Sequence, residues 1–166
     1  MWWYQDILEQ AKDLAHSQGF RGARWPKMPW QNGLDSPSGI APLLIWQQPH
    51  PINYVYNIYR AYKARGEEEQ ALEILHRYRD IVFESAEFMV SFAYYDKEND
   101  RYILGPGIIP AQENHKPEVT LNPTFELEYW HFGLGLATEM LELMGEEAPE
   151  KWTEVREGIS PLPEQD

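Results

Sequence analysis

Glu113 stands in the stretch Pro110-Ala111-Gln112-Glu113-Asn114-His115, where a carboxyl group lies between amides and an imidazole, outside any run of charge. Such a carboxyl group is suited to general acid work. Protonating a leaving oxygen near neutral pH requires a raised carboxyl pKa. Cleavage of a glycosidic bond needs such an acid opposite a base or nucleophile. Most of the 27 acidic residues are expected to be solvated; the Gly, Pro, Asn and His around Glu113 set it apart. Asn122 and Glu126 follow on the first turn of the next helix, and Glu118 and Glu126 are the carboxylates next in line.

A second group lies upstream. Arg21-Gly22-Ala23-Arg24-Trp25-Pro26 places Arg beside Trp, which combines a fork of donors with a flat stacking face. By itself the stretch also fits an ordinary surface loop. Trp46-Gln47-Gln48-Pro49-His50 brings an indole, two amides and an imidazole together, a set that reads hydroxyl groups; packing at a helix entry suits it equally. His50, His76, His115 and His131 show no zinc-protease spacing, and no phosphate loop, dinucleotide fingerprint or nucleophile elbow occurs. No metal or cofactor is therefore expected.

The elements that position these residues are helices. Trp3, Ile7, Leu8, Ala11, Leu14 and Ala15 predict a helix over 3–18, ended by Gly19. Residues 20–51 hold six Pro, three Gly and little periodicity. Long loops in compact domains are usually functional or disordered; three Trp and Leu43-Leu44-Ile45-Trp46 argue for a packed, ordered one. Pro51 opens a helix to about Arg65, closed by Gly66. An apolar stripe from Ala71 through Leu75, Ile81 and Phe88 to Phe92 predicts one helix over 67–93. Tyr94-Tyr95 and Tyr102-Ile103-Leu104 flank a polar turn and suggest a hairpin. A second long loop spans 105–121. Asn122 as N-cap and Pro123 at the first helical position start a helix that runs to Gly145, and a last short helix covers about 149–157. Helix pairs joined by tight turns at one end and long loops at the other predict an all-α fold of antiparallel αα-hairpins, with the loops gathered on one face.

Composition narrows the function. The 166 residues fit one domain, and 43% hydrophobic residues argue against disorder. Seven Trp, ten Tyr and six Phe are many, and aromatics line planar-ligand sites as well as cores. A net charge of −13 disfavours nucleic acid and anionic membrane surfaces. The absence of Cys excludes disulfides and thiolate chemistry. No run approaches a membrane span. The start, Met1-Trp2-Trp3-Tyr4, lacks the marks of a signal peptide and reads like a helix entered mid-stride. The expected location is cytoplasmic, or periplasmic or secreted if the chain is a piece of something longer.

Taken in order, Arg21-Gly22-Ala23-Arg24-Trp25-Pro26, His50 before a helix, the long helix ending near Phe92, Gly105-Pro106, Glu113-Asn114-His115 and Asn122 resemble the six-hairpin glycosidases. More narrowly, the chain is similar to the maltose, trehalose and kojibiose phosphorylase family and its bacterial relatives. Here Trp25 stands where that family has Phe, and six residues rather than one separate Gly105-Pro106 from Glu113. The resemblance covers about residues 20–140. It implies that residues 1–166 form a single α-helical domain, part of a larger (α/α)6 toroid. It implies hydrolysis or phosphorolysis of a glycoside or oligosaccharide, with Glu113 as general acid. Arg24, Trp25, Gln48, His50, Asn114, His115 and Asn122 would then shape the sugar site. Trp25 or Trp46 is expected to contact a sugar ring, since neither loop offers it a helical face to bury against. A carbohydrate-binding module without catalysis and a structural helical fragment are the alternatives. An incomplete toroid would expose apolar faces such as the Ala71–Phe92 stripe, so a homo-oligomer is expected as well.

Overall fold

The computed structural model describes residues 1–26, 29–34, 50–110 and 115–163, the side chain of His50 excepted. Among these residues, seven helices and one small hairpin make an all-α fold: α1 (Trp2–Asp6), α2 (Leu8–Ser17), α3 (His50–Ala64), α4 (Glu68–Arg77), α5 (Arg79–Phe92), β1 (Tyr94–Asp96), β2 (Arg101–Ile103), α6 (Thr124–Leu143) and α7 (Glu150–Gly158).

Two of the predicted helices are bent. The 3–18 pattern divides at Ile7 and the 67–93 pattern at Tyr78, where φ and ψ are −108° and 15°. Hydrogen bonds still cross the bend, from Tyr78 N–H to the Ile74 carbonyl and from Val82 N–H to the Tyr78 carbonyl, both at 3.2 Å. Each pattern therefore keeps its apolar stripe while the axis changes direction. The α3–α4 turn closes on Gly66, whose φ of +77° a side chain would strain. Glu67 N–H bonds to the Tyr62 carbonyl and Gly66 N–H to that of Lys63, the paired closure of a Schellman motif. The same pairing ends α2 at Gly19 and α6 at Gly145.

α5 is the centre of the bundle. It buries Ile81, Val82, Ala86, Phe88, Met89, Val90 and Phe92 and packs on α3, α6 and α7. Trp130 of α6 is fully buried against it and donates its Nε1–H to the Met89 carbonyl at 2.8 Å. Trp152 of α7 is equally buried and donates to Glu87 Oε1 at 2.8 Å. The Ala71–Phe92 stripe is thus covered within the chain, with Ala71, Leu75, Ile81, Phe88 and Phe92 all buried. The homo-oligomer expectation loses that basis.

The hairpin forms as expected, pairing Tyr94 with Ile103, Tyr95 with Tyr102 and Asp96 with Arg101. It is tied to the chain's end: Ser160 N–H and Oγ–H both donate to the Tyr102 carbonyl, at 2.8 and 2.9 Å. No described helix is long and apolar enough to cross a membrane.

Candidate functional site

The helices that receive the two long connections present their starts at the same end of the bundle. α3 packs on α6, and Tyr54, near the start of α3, is close enough to Tyr129, near the start of α6, to influence its titration. Tyr4 of α1 joins them, its ring 6.4 Å from that of Tyr54. Burial pushes the Tyr129 hydroxyl well above its ordinary value, and Tyr54 and Tyr4 add to the shift. Tyr4, also raised by burial, and Tyr129 therefore stay protonated at any physiological pH.

Beside this cluster, a groove of about 710 Å³ opens along the N-terminal end of α6. Its lining includes Pro110, His115, Thr120, Asn122, Phe125 and Glu128. Pro110 and His115 bracket residues 111–114, so the chain enters and leaves the Glu113 segment at this groove. Of the residues singled out in the sequence, His115 and Asn122 come together here. Trp46, Gln48, Glu113 and Asn114, and the side chain of His50, lie outside the described residues.

Asn122 holds the groove's edge in shape. Its Oδ1 accepts the Leu104 N–H at 2.8 Å, its own N–H donates to the Leu104 carbonyl at 2.8 Å, and its Nδ2 donates to Ser160 Oγ at 3.2 Å. These bonds keep its backbone left-handed at a φ of 49°. The N-cap position passes to Pro123 and the helix begins at Thr124, one residue later than the sequence predicts. Because the amide is committed to Leu104 and Ser160, Asn122 acts here by positioning the groove's edge.

Arg24 and Trp25 are not in the groove. Arg24 is 0% exposed and donates from Nη1 to Gln18 Oε1 at 2.6 Å. Trp25 is 4% exposed and donates from Nε1 to Ser85 Oγ at 2.9 Å. The expected lack of a helical face for Trp25 is corrected: the loop is a strap pulled down between α2 and α5. Ala23 N–H bonds to the Glu84 carbonyl and Arg24 N–H to that of Ala11, at 2.8 and 2.9 Å. Gly22 makes the close approach feasible; a Cβ there would stand 2.2 Å from the Glu84 carbonyl oxygen.

Glu126, in the first turn of α6, is 1% exposed, and neither carboxylate oxygen has a hydrogen-bond partner among the described residues. Burial pushes its carboxyl up to about 7, because a charge is poorly stabilised away from water. The folded protein therefore keeps this proton where the unfolded chain has lost it. Its contribution to stability is favourable at low pH and falls away as pH rises from the ordinary carboxyl range through about 7. Glu126→Gln, which cannot ionise, is expected to gain up to about 3 kcal/mol over wild type at pH 8 and little at pH 5. Thermal unfolding of both proteins across that range checks this; identical pH profiles would show that Glu126 is solvated or paired.

No family model matches this chain, and no curated protein matches it either.

Glu128, Thr120 and Phe125 escaped the sequence reading. Thr120 and Phe125 adjoin the Asn122-Pro123 start signal, and a search for polar and aromatic residues around it would have found them. Glu128 carries no signal beyond its helical spacing from Phe125.

Proposed function

We propose that the chain is a carbohydrate-active domain that binds a glycoside in the groove at the start of α6, with Glu113 as the general acid of cleavage. The observation that carries this reading is the groove itself. It is lined by His115 and Asn122 and bounded by the two residues that flank the Glu113 segment. Its volume lies in the range of small-ligand sites, and its lining mixes hydroxyl, imidazole and carboxylate groups with the Phe125 ring, as recognition of a polyol requires. In the reaction the bond between the anomeric carbon and the leaving oxygen breaks. That oxygen takes the Glu113 proton, water or hydrogen phosphate supplies the oxygen that ends on the anomeric carbon, and the proton this nucleophile loses balances the one Glu113 gave. The αα-hairpins, with the long connections entering α3 and α6 at one end, support reading the domain as a portion of an (α/α)6 ring.

A panel of disaccharides and aryl glycosides, assayed with and without inorganic phosphate, tests the reading and separates hydrolysis from phosphorolysis. Cleavage of at least one substrate by wild type is expected. Saturable binding without cleavage would leave a carbohydrate-binding module; neither binding nor cleavage would leave a structural helical fragment.

A further inference from the structure

The groove at the start of α6 does not end there. A second cavity of about 230 Å³ lies between α6 and the segment after α7, and a third of about 510 Å³ runs beside α6 toward Glu142. Glu128 lines all three, and His131 and Arg156 line the second and third. From Thr124 to Glu142 the helix rises about 27 Å at 1.5 Å per residue, so the three form one track along it.

Arg156 is the unusual group in this track. In a chain of net charge −13, it forms no salt bridge among the described residues. Its Nε is buried without an acceptor among the described residues. Glu128, Glu139 and Glu142 line the same cavities, yet none closes on the guanidinium. The guanidinium lies over Gly135, where a Cβ would stand 3.1 Å from its Cζ. Glycine costs a helix interior about 1 kcal/mol relative to alanine, so this glycine is a local loss of helix stability that makes room for the arginine. Phe132, 48% exposed, supplies a flat apolar face in the third cavity. Donors on Arg156, acceptors on the glutamates and a ring beside them match vicinal hydroxyls and the apolar face of a sugar. A free anion fits less well, because the carboxylates would repel it.

We propose that the track along α6, from Asn122 to Arg156, binds the extension of an oligosaccharide whose end occupies the first groove, so that the ligands of this protein are saccharides longer than a disaccharide. This rests on the carbohydrate reading above. The first groove alone takes a small sugar; only a longer chain reaches Phe132 and Arg156.

The test is calorimetric titration with two series, maltose to maltohexaose and cellobiose to cellohexaose, on wild type, Arg156→Ala, Phe132→Ala and Gly135→Ala. In one series, wild-type affinity is expected to rise roughly tenfold with length, the worth of one or two well-made contacts. Each variant is expected to lose that rise while binding the disaccharide as wild type does. Gly135→Ala keeps the fold in view: alanine favours the helix but displaces the guanidinium, so a loss there is not a loss of folding. Disaccharide binding that does not strengthen with length overturns the track and leaves the first groove standing. No binding by any member of either series removes the carbohydrate reading and the track with it. Sedimentation at low and high salt supplies the remaining arm. A dimer that Phe132→Ala dissociates would mean a second copy covers the track, and would also overturn the proposal.

Discussion

Glu113→Gln is expected to lower turnover by about 10²- to 10⁴-fold, the usual worth of a general acid. Gln keeps the size and hydrogen-bonding shape of a protonated carboxyl group but has no proton to give. Binding of the uncleaved sugar should therefore change little, and the loss should fall on the chemical step. A substrate with an activated leaving group, such as a nitrophenyl glycoside, should suffer much less, because its departure needs little protonation. Wild-type activity retained in full by Glu113→Gln would mean that another carboxyl group gives the proton. Glu126 would then come first, since its carboxyl is pushed up to about 7 at the start of α6. Glu118, which is exposed, would come second.

Trp25→Ala is expected to cost about 3–5 kcal/mol of stability, as loss of a buried aromatic side chain does. The indole is buried in the core cluster, edge-on to Tyr4 with ring centres 5.0 Å apart and planes at 85°. Its Nε1–H reaches Ser85 Oγ, whose own proton goes to the Ile81 carbonyl at 2.6 Å. Removing the ring opens a cavity between the strap and α5. Trp25→Phe should recover most of the loss, because a ring still fills the space and only the bond to Ser85 is gone. Urea unfolding of the three proteins measures this. A Trp25→Ala midpoint equal to that of wild type would mean that the strap does not pack on α5. The variant is not expected to weaken sugar binding except through unfolding, the reverse of the expectation drawn from its loop setting.

That reversal shows where the sequence was legible. Periodicity located the helices, and Gly19, Gly66 and Gly145 marked three ends because each sits at a left-handed closure. The Asn122-Pro123 signal found the start of α6 to within one residue; it missed the offset because the Asn122 amide bonds to Leu104 and Ser160, partners 18 and 38 residues away. Periodicity carried no sign of the bends at Ile7 and Tyr78, since the apolar stripe continues through both. The strap was misread for a related reason. Residues 20–26 have no helical or strand period of their own, and what they bury against belongs to α2 and α5. The groove and the track beyond it were half legible: His115 and Asn122 stood out in the sequence, whereas Arg156 became visible only once folding set it over Gly135 without an acidic partner among the described residues.

The central claim is that the groove beside His115 and Asn122 receives a sugar. Isothermal titration of wild type and His115→Ala with a disaccharide panel tests it most directly. His115 is exposed on the groove, and thermal unfolding of both proteins shows whether the variant keeps its fold. Saturable heat is expected for at least one disaccharide in wild type, with roughly tenfold weaker binding in the variant, the worth of one hydrogen bond lost. Equal affinity in the two proteins, or no heat from any disaccharide with wild type, would contradict it.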